Sequence, residues 1–133
     1  PGQAAVFYDG DVVVGGGMDH PRTSPRGGMI LFAVTTLPDE AVAAGIVRQL
    51  AEKKAAACGT ISPGARSIYR WKDAIEDSPE AIVIFKIPRS RADTFESELR
   101  ALHPYETPEI AIFEPERVYQ AYADWVLNSC STS

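Results

Sequence analysis

Apolar positions along this chain follow two periods, and the change from one period to the other marks the predicted elements. Short runs of branched apolar residues predict four strands, at residues 30–37, 58–75, 81–87 and 109–113. Apolar residues three and four positions apart predict three helices, one ending near residue 56, one over residues 90–102 and one near residues 118–126. The pattern therefore predicts the order β-α-β-β-α-β, followed by a further helix.

That order is typical of an α+β fold, the ferredoxin-like βαββαβ sandwich, here with an extra C-terminal helix. Thr36 and Ser90, each three positions before an aspartate, predict the starts of the first two helices. A proline and a glycine at residues 63–64 predict a bend or bulge in the second strand, because proline cannot continue a central ladder. Residues 76–79 predict a turn, and the small residues around Gly45 predict close packing of the first helix on the sheet.

Two of the predicted strands are apolar on both faces. In the strand at residues 81–87, alternate side chains are apolar in both directions, and the last strand repeats this pattern. The two main helices cover only one face of an antiparallel sheet, and an uncovered apolar face of this size would promote aggregation. The pattern therefore predicts that another chain covers the second face, and hence an oligomer.

Composition places limits on the partners of the chain. Its 133 residues suffice for one domain with a modest core, and a net charge of −5 argues against a nucleic-acid partner. The longest apolar run, residues 29–34, is far shorter than the roughly 20 residues that a membrane helix requires, so we expect no membrane association. The two cysteines form no disulfide framework, and we expect a reduced, cytoplasmic protein.

Residues 1–28 differ from the rest, because residues 21–28 have no apolar periodicity. Two apolar runs flank Asp9-Gly10 and could form a hairpin, which resembles the closing hairpin of tRNA-thiouridylases. We interpret residues 1–28 as an N-terminal extension, either a leader or the product of an upstream start, and expect it to be flexible. The domain then comprises residues 29–133. The sequence indicates no signal peptide, because it has neither a basic start nor an apolar stretch after it.

The segment His-Pro-Tyr-Glu-Thr-Pro-Glu at residues 103–109 carries the densest group of chemically active side chains. Pro104 and Pro108 fix their own φ angles and push the preceding residues toward extended geometry, so the segment is stiff before any ligand arrives. It presents an imidazole, a phenol and two carboxylates. This arrangement favours a built site over an ordinary connecting loop.

Cys58 and His103 are the candidate metal ligands, with Glu106 completing the shell. Thiolate and imidazole suit copper or zinc better than magnesium or calcium. No short motif with metal-ligand spacing is present, so a site would be assembled from residues distant in sequence, on one subunit or on several, and would hold its metal weakly. The alternatives are that Cys58 is a small buried apolar residue and that His103 bonds a backbone carbonyl.

A second set of residues is predicted to line a ligand cleft, in which Tyr69 and Trp71 point to the same side of a strand. The other candidates for this cleft are Lys86, Tyr105 and Glu109, of which Glu109 could pair with Lys86. Structural alternatives are packing at a subunit contact for Trp71 and an edge position for Lys86.

An enzyme with Cys58 as nucleophile and His103 as base lacks an orienting residue and an oxyanion motif. The alanines before Cys58 would also raise the pKa of its thiol rather than lower it. We therefore expect no catalysis.

Four short motifs appear here in the order and spacing of the CutA divalent-cation-tolerance family, which the chain resembles over roughly residues 29–128. They are Lys-Ala-Ala-Ala-Cys at residues 54–58, Pro-Gly at 63–64, Tyr-x-Trp-Lys at 69–72 and His-Pro-Tyr-x-x-Pro-Glu at 103–109. The resemblance implies a ferredoxin-like homotrimer linked to divalent-cation tolerance, copper especially, with metal bound at modest affinity. Thr35 stands where some members carry a second cysteine, which puts a two-thiol site in doubt.

The resemblance leaves two other functions open. Trimers of this architecture resemble the PII signalling proteins, which bind small effectors in clefts between subunits. A PII-like sensor or adaptor is therefore the alternative to metal binding, and a purely structural trimeric scaffold is the third possibility.

Overall fold

The computed structural model describes residues 28–131, in which four strands form one antiparallel sheet. Along the chain they are β1 (Ile30–Leu37), β2 (Cys58–Trp71), β3 (Ala74–Pro88) and β4 (Ala111–Phe113), and across the sheet they lie in the order β2-β3-β1-β4. The helices are α1 (Glu40–Glu52), α2 (Ala92–Leu102) and α3 (Gln120–Ser129). The predicted order of elements is confirmed. The hairpin predicted around Asp9-Gly10 lies outside the described residues.

The first face of the sheet forms the core of the domain beneath α1 and α2. Alternation along a strand sends every second side chain to this face, where eight of them on β1 and β3 are buried. The two helices contribute a stripe of buried residues each, among them Leu50 of α1 and Phe95 of α2. The rings of Phe85 and Phe95 meet edge to face, with their centroids 4.9 Å apart. The buried sheet residues are Leu31, Ala33, Thr35, Leu37, Ala81, Val83, Phe85 and Ile87.

The second face is covered at one end only. There α3 packs Ala123 and Val126 onto Ile30 in a small separate cluster. The apolar residues farther along this face, such as Val34 and Ile84, are only partly buried. The expectation that two helices cover one face is confirmed, but α3 covers part of the other, which the sequence pattern did not predict.

The turn between β2 and β3 lies at residues 72–73, so the turn predicted at residues 76–79 is wrong. Lys72 and Asp73 have φ angles of 52° and 69°, the left-handed pair that a two-residue type I′ hairpin requires. Residues 76–79 instead continue β3, and Pro79 pairs with Arg66. β1 pairs with β3 only from Ala81 onward. Among the described residues, Pro79 therefore lies where β3 pairs with β2 alone, so no ladder bond is lost on its other side. The hairpin therefore extends beyond the four-stranded part of the sheet.

The bulge predicted at residues 63–64 is confirmed. The pairing register of β2 with β3 shifts between Ser62 and Ala65, and Gly64 has a φ of 78°. Its left-handed backbone is one that an L-residue adopts only with strain, so glycine suits this position.

Both predicted helix starts are wrong in detail. The cap of α1 is Asp39, whose Oδ1 accepts the N–H of Val42 at 2.8 Å, while Thr36 belongs to β1. A 3-10 turn (Arg89–Arg91) leads into α2, which has no side-chain cap, so Ser90 does not cap it. α1 ends before residue 56, because Lys54 adopts a left-handed φ of 60° and the chain turns back onto the last carbonyls of the helix.

Close packing of α1 on the sheet occurs at the fully buried Ala43 and at Gly59, but not at Gly45. A Cβ at Gly59 would lie 2.9 Å from a methyl carbon of Val47, whereas a Cβ at Gly45 would have nothing within 4 Å. The last strand is also shorter than predicted, since β4 contains only three residues. No helix within residues 28–131 is long and apolar enough to cross a membrane.

Candidate functional site

His103 lies buried at the end of α2, with both ring nitrogens engaged. Nε2 lies 2.9 Å from the carbonyl oxygen of Thr36 and 3.0 Å from the hydroxyl of Thr35. Nδ1 accepts the backbone N–H of Tyr105 at 3.2 Å. Because a backbone N–H can only donate, the bonds assign the proton to Nε2, which donates to the Thr36 carbonyl. The ring thereby joins the end of β1 to the loop after α2, at residues 103–109.

The surroundings of His103 keep its ring neutral. Burial lowers the pKa of His103 below its ordinary value, and this effect outweighs the opposite influences of the Thr36 carbonyl and the nearby Glu80. A second proton on the ring would occupy Nδ1, which already accepts the Tyr105 N–H. The neutral ring is therefore the form that this hydrogen-bond pattern requires.

Tyr105 attaches the same loop to β3. Its hydroxyl donates to Oε2 of the buried Glu80 at 2.5 Å, and its ring lies 4.9 Å from that of His103. Burial, followed by the bond to Glu80, raises the pKa of Tyr105 well above its ordinary value. Tyr69 is close enough to contribute to that rise, so these two predicted cleft residues do lie near each other. Sequence reasoning missed Glu80, since this residue directly follows the segment predicted as a turn.

The rest of the loop touches the hairpin only loosely. Glu106 lies 3.8 Å from the ammonium of Lys72, and both side chains are more than two-thirds exposed, so the pair contributes little to stability. The Lys72 ammonium also lies 5.5 Å from the ring centre of Trp71. Glu109 is exposed, just before β4.

Cys58 opens β2 on the second face of the sheet, at the end covered by α3. It pairs across the strands with Lys86, and its Sγ lies 3.7 Å from the hydroxyl of Tyr122. The Lys86 ammonium donates to the hydroxyl of Thr60 at 2.6 Å rather than to Glu109. Lys86 thus lies with the thiol and apart from the predicted cleft, and Tyr122 is a neighbour of Cys58 that sequence reasoning missed.

Within one chain the structure does not bring Cys58 and His103 together. His103 bonds Thr35 on the first face, whereas Cys58 lies on the second face, level with Phe32. The two positions are three residues apart along β1, which is about 10 Å. Residues 28–131 contain no group of three or more His, Cys, Asp or Glu side chains placed to hold a metal ion. A site using both ligands would therefore need donors from more than one subunit.

The two thiols differ in accessibility. Cys130, at the end of α3, is 4% exposed, and burial raises the pKa of its thiol even though Arg91 and Lys54 act in the opposite direction. Cys58 is half-buried, and neither cysteine forms a disulfide. Burial and the contact with Cys58 raise the pKa of Tyr122 to about 12, so the phenol keeps its proton. Cys58 is therefore the more available of the two thiols.

Residues 31–129 match the family profile of the CutA1 divalent ion tolerance proteins. This chain belongs to that family. Curated CutA proteins include a homologue from Xenopus laevis, 34% identical over 99 residues, and the divalent-cation tolerance protein of Thermus thermophilus, 35% identical over 91 residues. These alignments cover 74% and 68% of this chain, and 66% and 88% of the relatives.

Solved CutA structures share the fold. The divalent ion tolerance protein of Ehrlichia chaffeensis superposes with a TM-score of 0.75 at 29% identity, over 78% of this chain and 97% of its own. The match spans less of the vertebrate CutA proteins, with 66% of the Xenopus protein and 56% of the Mus musculus protein covered. The chain therefore spans only about two thirds or less of the length of these vertebrate relatives.

A second family match lies at the other end of the chain. Residues 1–18 match the profile of the aminomethyltransferase β-barrel domain. This stretch does not overlap the CutA match, and it contains the hairpin motif around Asp9-Gly10.

Proposed function

We propose that this CutA-family chain contributes to divalent-cation tolerance as a non-enzymatic homotrimer that binds copper, or zinc, weakly through Cys58. The observation that carries the proposal is the half-buried thiol of Cys58, next to Lys86 and Tyr122 on the second face. Thiolate is the donor that selects copper over magnesium or calcium. Cys130 is buried and both nitrogens of His103 are engaged, so Cys58 is the most available of these three donors.

The trimer is proposed from the sheet. Its strand order, β2-β3-β1-β4 with antiparallel pairs and two helices on one face, agrees with a ferredoxin-like arrangement. The second face retains partly buried apolar side chains, and the hairpin exposes Ile68 and Ile75 by 63% and 62%. A partner chain that covered both surfaces would remove this apolar area from water.

His103 and Glu106 join the proposed site only through assembly. A metal at Nδ1 of His103 would have to displace the N–H of Tyr105, and Glu106 would have to leave Lys72. Each displacement costs an existing contact and therefore weakens metal binding. The low affinity proposed here follows from this competition, and the free thiols are the reason for proposing a cytoplasmic location.

Copper(I) titration under anaerobic conditions, against a competing chelator, tests the role of Cys58. Cys58→Ser is nearly isosteric, and we expect it to weaken binding at least several-fold while the circular-dichroism spectrum stays unchanged. Cys130→Ser is the matched control, and we expect it to bind copper like the parent. Equal binding by the parent and Cys58→Ser would overturn the proposal. A loss in both variants would shift the role to the pair of thiols.

A PII-like effector sensor is the alternative, favoured by the contact of Tyr105 with Glu80 beside the partly exposed Tyr69 and Trp71. Aromatic rings with a carboxylate nearby can hold a small organic ligand. Titration with ATP and with citrate, followed by tryptophan fluorescence, tests it. A saturable change that is lost in Trp71→Phe but kept in Trp125→Phe would favour the sensor, and no change at millimolar ligand would count against it.

A further inference from the structure

We propose that the CutA domain follows a β-barrel domain of the aminomethyltransferase type in one longer polypeptide. Two unrelated family matches, at residues 1–18 and 31–129, occur side by side without overlap. The short segment between the two matches has the composition of a linker between domains.

The first match is too small to be a domain. Its apolar runs, Ala-Val-Phe-Tyr at residues 5–8 and Val-Val-Val at 12–14, flank Asp9-Gly10, the signal for a two-residue hairpin turn. Both runs are apolar in consecutive positions, as in strands buried on both sides. An isolated two-stranded hairpin is at best marginally stable in water, and barrels are stable because closure covers every strand edge. The match therefore covers only a part of such a domain, and the remainder of the domain would precede it in the polypeptide.

The intervening segment suits a tether. Residues 19–28 read Asp-His-Pro-Arg-Thr-Ser-Pro-Arg-Gly-Gly, with two prolines, two glycines and no aliphatic or aromatic hydrophobic residue other than proline. Boundaries between domains have this composition. Ten residues span at most about 35 Å when fully extended, which is enough to keep two small domains apart.

The CutA domain holds the end of this segment firmly at its surface. Arg89 donates from Nε to the carbonyl of Gly28 at 2.7 Å, and its backbone N–H donates to the carbonyl of Met29 at 2.6 Å. The same guanidinium pairs with Glu114 at 2.7 Å. Met29 is 48% exposed, so the chain enters the domain at a fixed, accessible point. An anchored junction of this kind allows a preceding domain to be attached without disturbing the sheet.

The tether has a functional consequence that rests on the proposed trimer. Three barrel domains would be carried by one assembly of CutA domains. Each copy of the domain ahead would then lie next to two others in the same assembly. The CutA domain, whose sheet keeps a partly uncovered second face, would serve as the assembly unit.

The native polypeptide provides the test. An antibody raised against residues 28–131 would be used on an extract of the source cells, and the transcript would be sequenced upstream of the codon for Pro1. We expect an open reading frame that encodes further barrel strands, and one band far heavier than the 14.4 kDa of this chain. A band near 14 kDa, or an in-frame stop codon ahead of residue 1, would overturn the proposal.

A second measurement separates this proposal from the trimer. Light scattering of the full polypeptide should give three times its chain mass, and deletion of residues 30–131 should reduce it to one chain mass. A long polypeptide that scatters as a monomer would retain the fusion and exclude the trimer. A short native chain that scatters as a trimer would retain the trimer and exclude the fusion.

Discussion

The hydroxyl of Thr35 lies 3.0 Å from Nε2 of His103, on the buried first face of the sheet. Thr35 therefore places a hydroxyl, and not a thiol, beside the imidazole. A hydroxyl next to a ring that already donates to a backbone carbonyl makes a hydrogen-bond network and not a soft-metal pair. The main contribution of His103 in a single chain is therefore to hold the loop at residues 103–109 in place.

The first prediction concerns this anchoring. Replacing His103 with alanine leaves the Thr36 carbonyl and the Tyr105 N–H without their partners. We expect His103→Ala to lower the free energy of unfolding by about 2 kcal/mol or more, because each buried group left without a partner costs about 1–3 kcal/mol. Urea denaturation of the metal-free protein measures the difference. Glu106→Ala, at an exposed side chain of the same loop, should change it by less than about 0.5 kcal/mol. Equal stability of parent and His103→Ala would show that the ring is not an anchor.

The second prediction is a loss of stability in mild acid. The pKa of His103 is lowered on folding, so below an unfolded value of about 6.5 the unfolded chain takes up a proton that the folded chain refuses. The free energy of unfolding should therefore fall as the pH drops from about 6.5 toward the lowered pKa, and this contribution should level off below it. His103→Gln keeps a donor for the Thr36 carbonyl but cannot titrate. Its unfolding free energy should depend less on pH than that of the parent over this window, and identical slopes would contradict the assignment.

The sequence predicted the fold where periodicity decides the outcome. The run of branched apolar residues at 30–37 predicted β1 with its observed bounds, and the buried face leaves only one register for that strand. The β2–β3 turn was misplaced because Lys72-Asp73 lacks the glycine that marks type I′ turns, whereas a nearby Asp-Ser-Pro has turn composition. Helix starts were misplaced for a similar reason, since several polar residues compete for each cap and only packing selects one.

The candidate site was predictable as a set of residues but not as an arrangement. Two prolines identified the stiff loop, and the structure shows that its imidazole and phenol both form hydrogen bonds within the domain. The face of the sheet on which Cys58 lies, opposite to His103, follows from the strand register, which no local motif encodes. Glu80 was not predicted, because a buried carboxylate inside a strand has no sequence signature apart from its neighbours.

The third prediction compares two glycines whose substitution meets no steric obstacle. A Cβ at either Gly45 or Gly64 would have nothing within 4 Å, so the two positions differ chiefly in backbone conformation. Gly45 lies within α1, where alanine is favoured over glycine, and we expect Gly45→Ala to raise the free energy of unfolding by about 0.8–1 kcal/mol. Gly64 has a φ of 78°, and we expect Gly64→Ala to lower it by about 1–2 kcal/mol. Thermal unfolding of both variants against the parent measures the contrast. Shifts of the same sign would mean that the bulge relaxes to suit alanine.

The fourth prediction tests the proposed assembly through the second face of the sheet. Ile84 lies partly buried in the middle of that face, where it pairs with Val34, and α3 covers only the end beyond it. We expect Ile84→Lys to convert the protein from trimer to monomer, because a charged group buried in an apolar interface loses its hydration without gaining a partner. Light scattering at micromolar concentration should give three times 14.4 kDa for the parent and 14.4 kDa for the variant. Ser97→Lys, on the exposed side of α2, introduces the same charge away from the sheet and should remain trimeric. A parent that scatters as a monomer would exclude the trimer, and a trimeric Ile84→Lys would place the interface elsewhere, with the exposed hairpin residues Ile68 and Ile75 as the next surface to substitute.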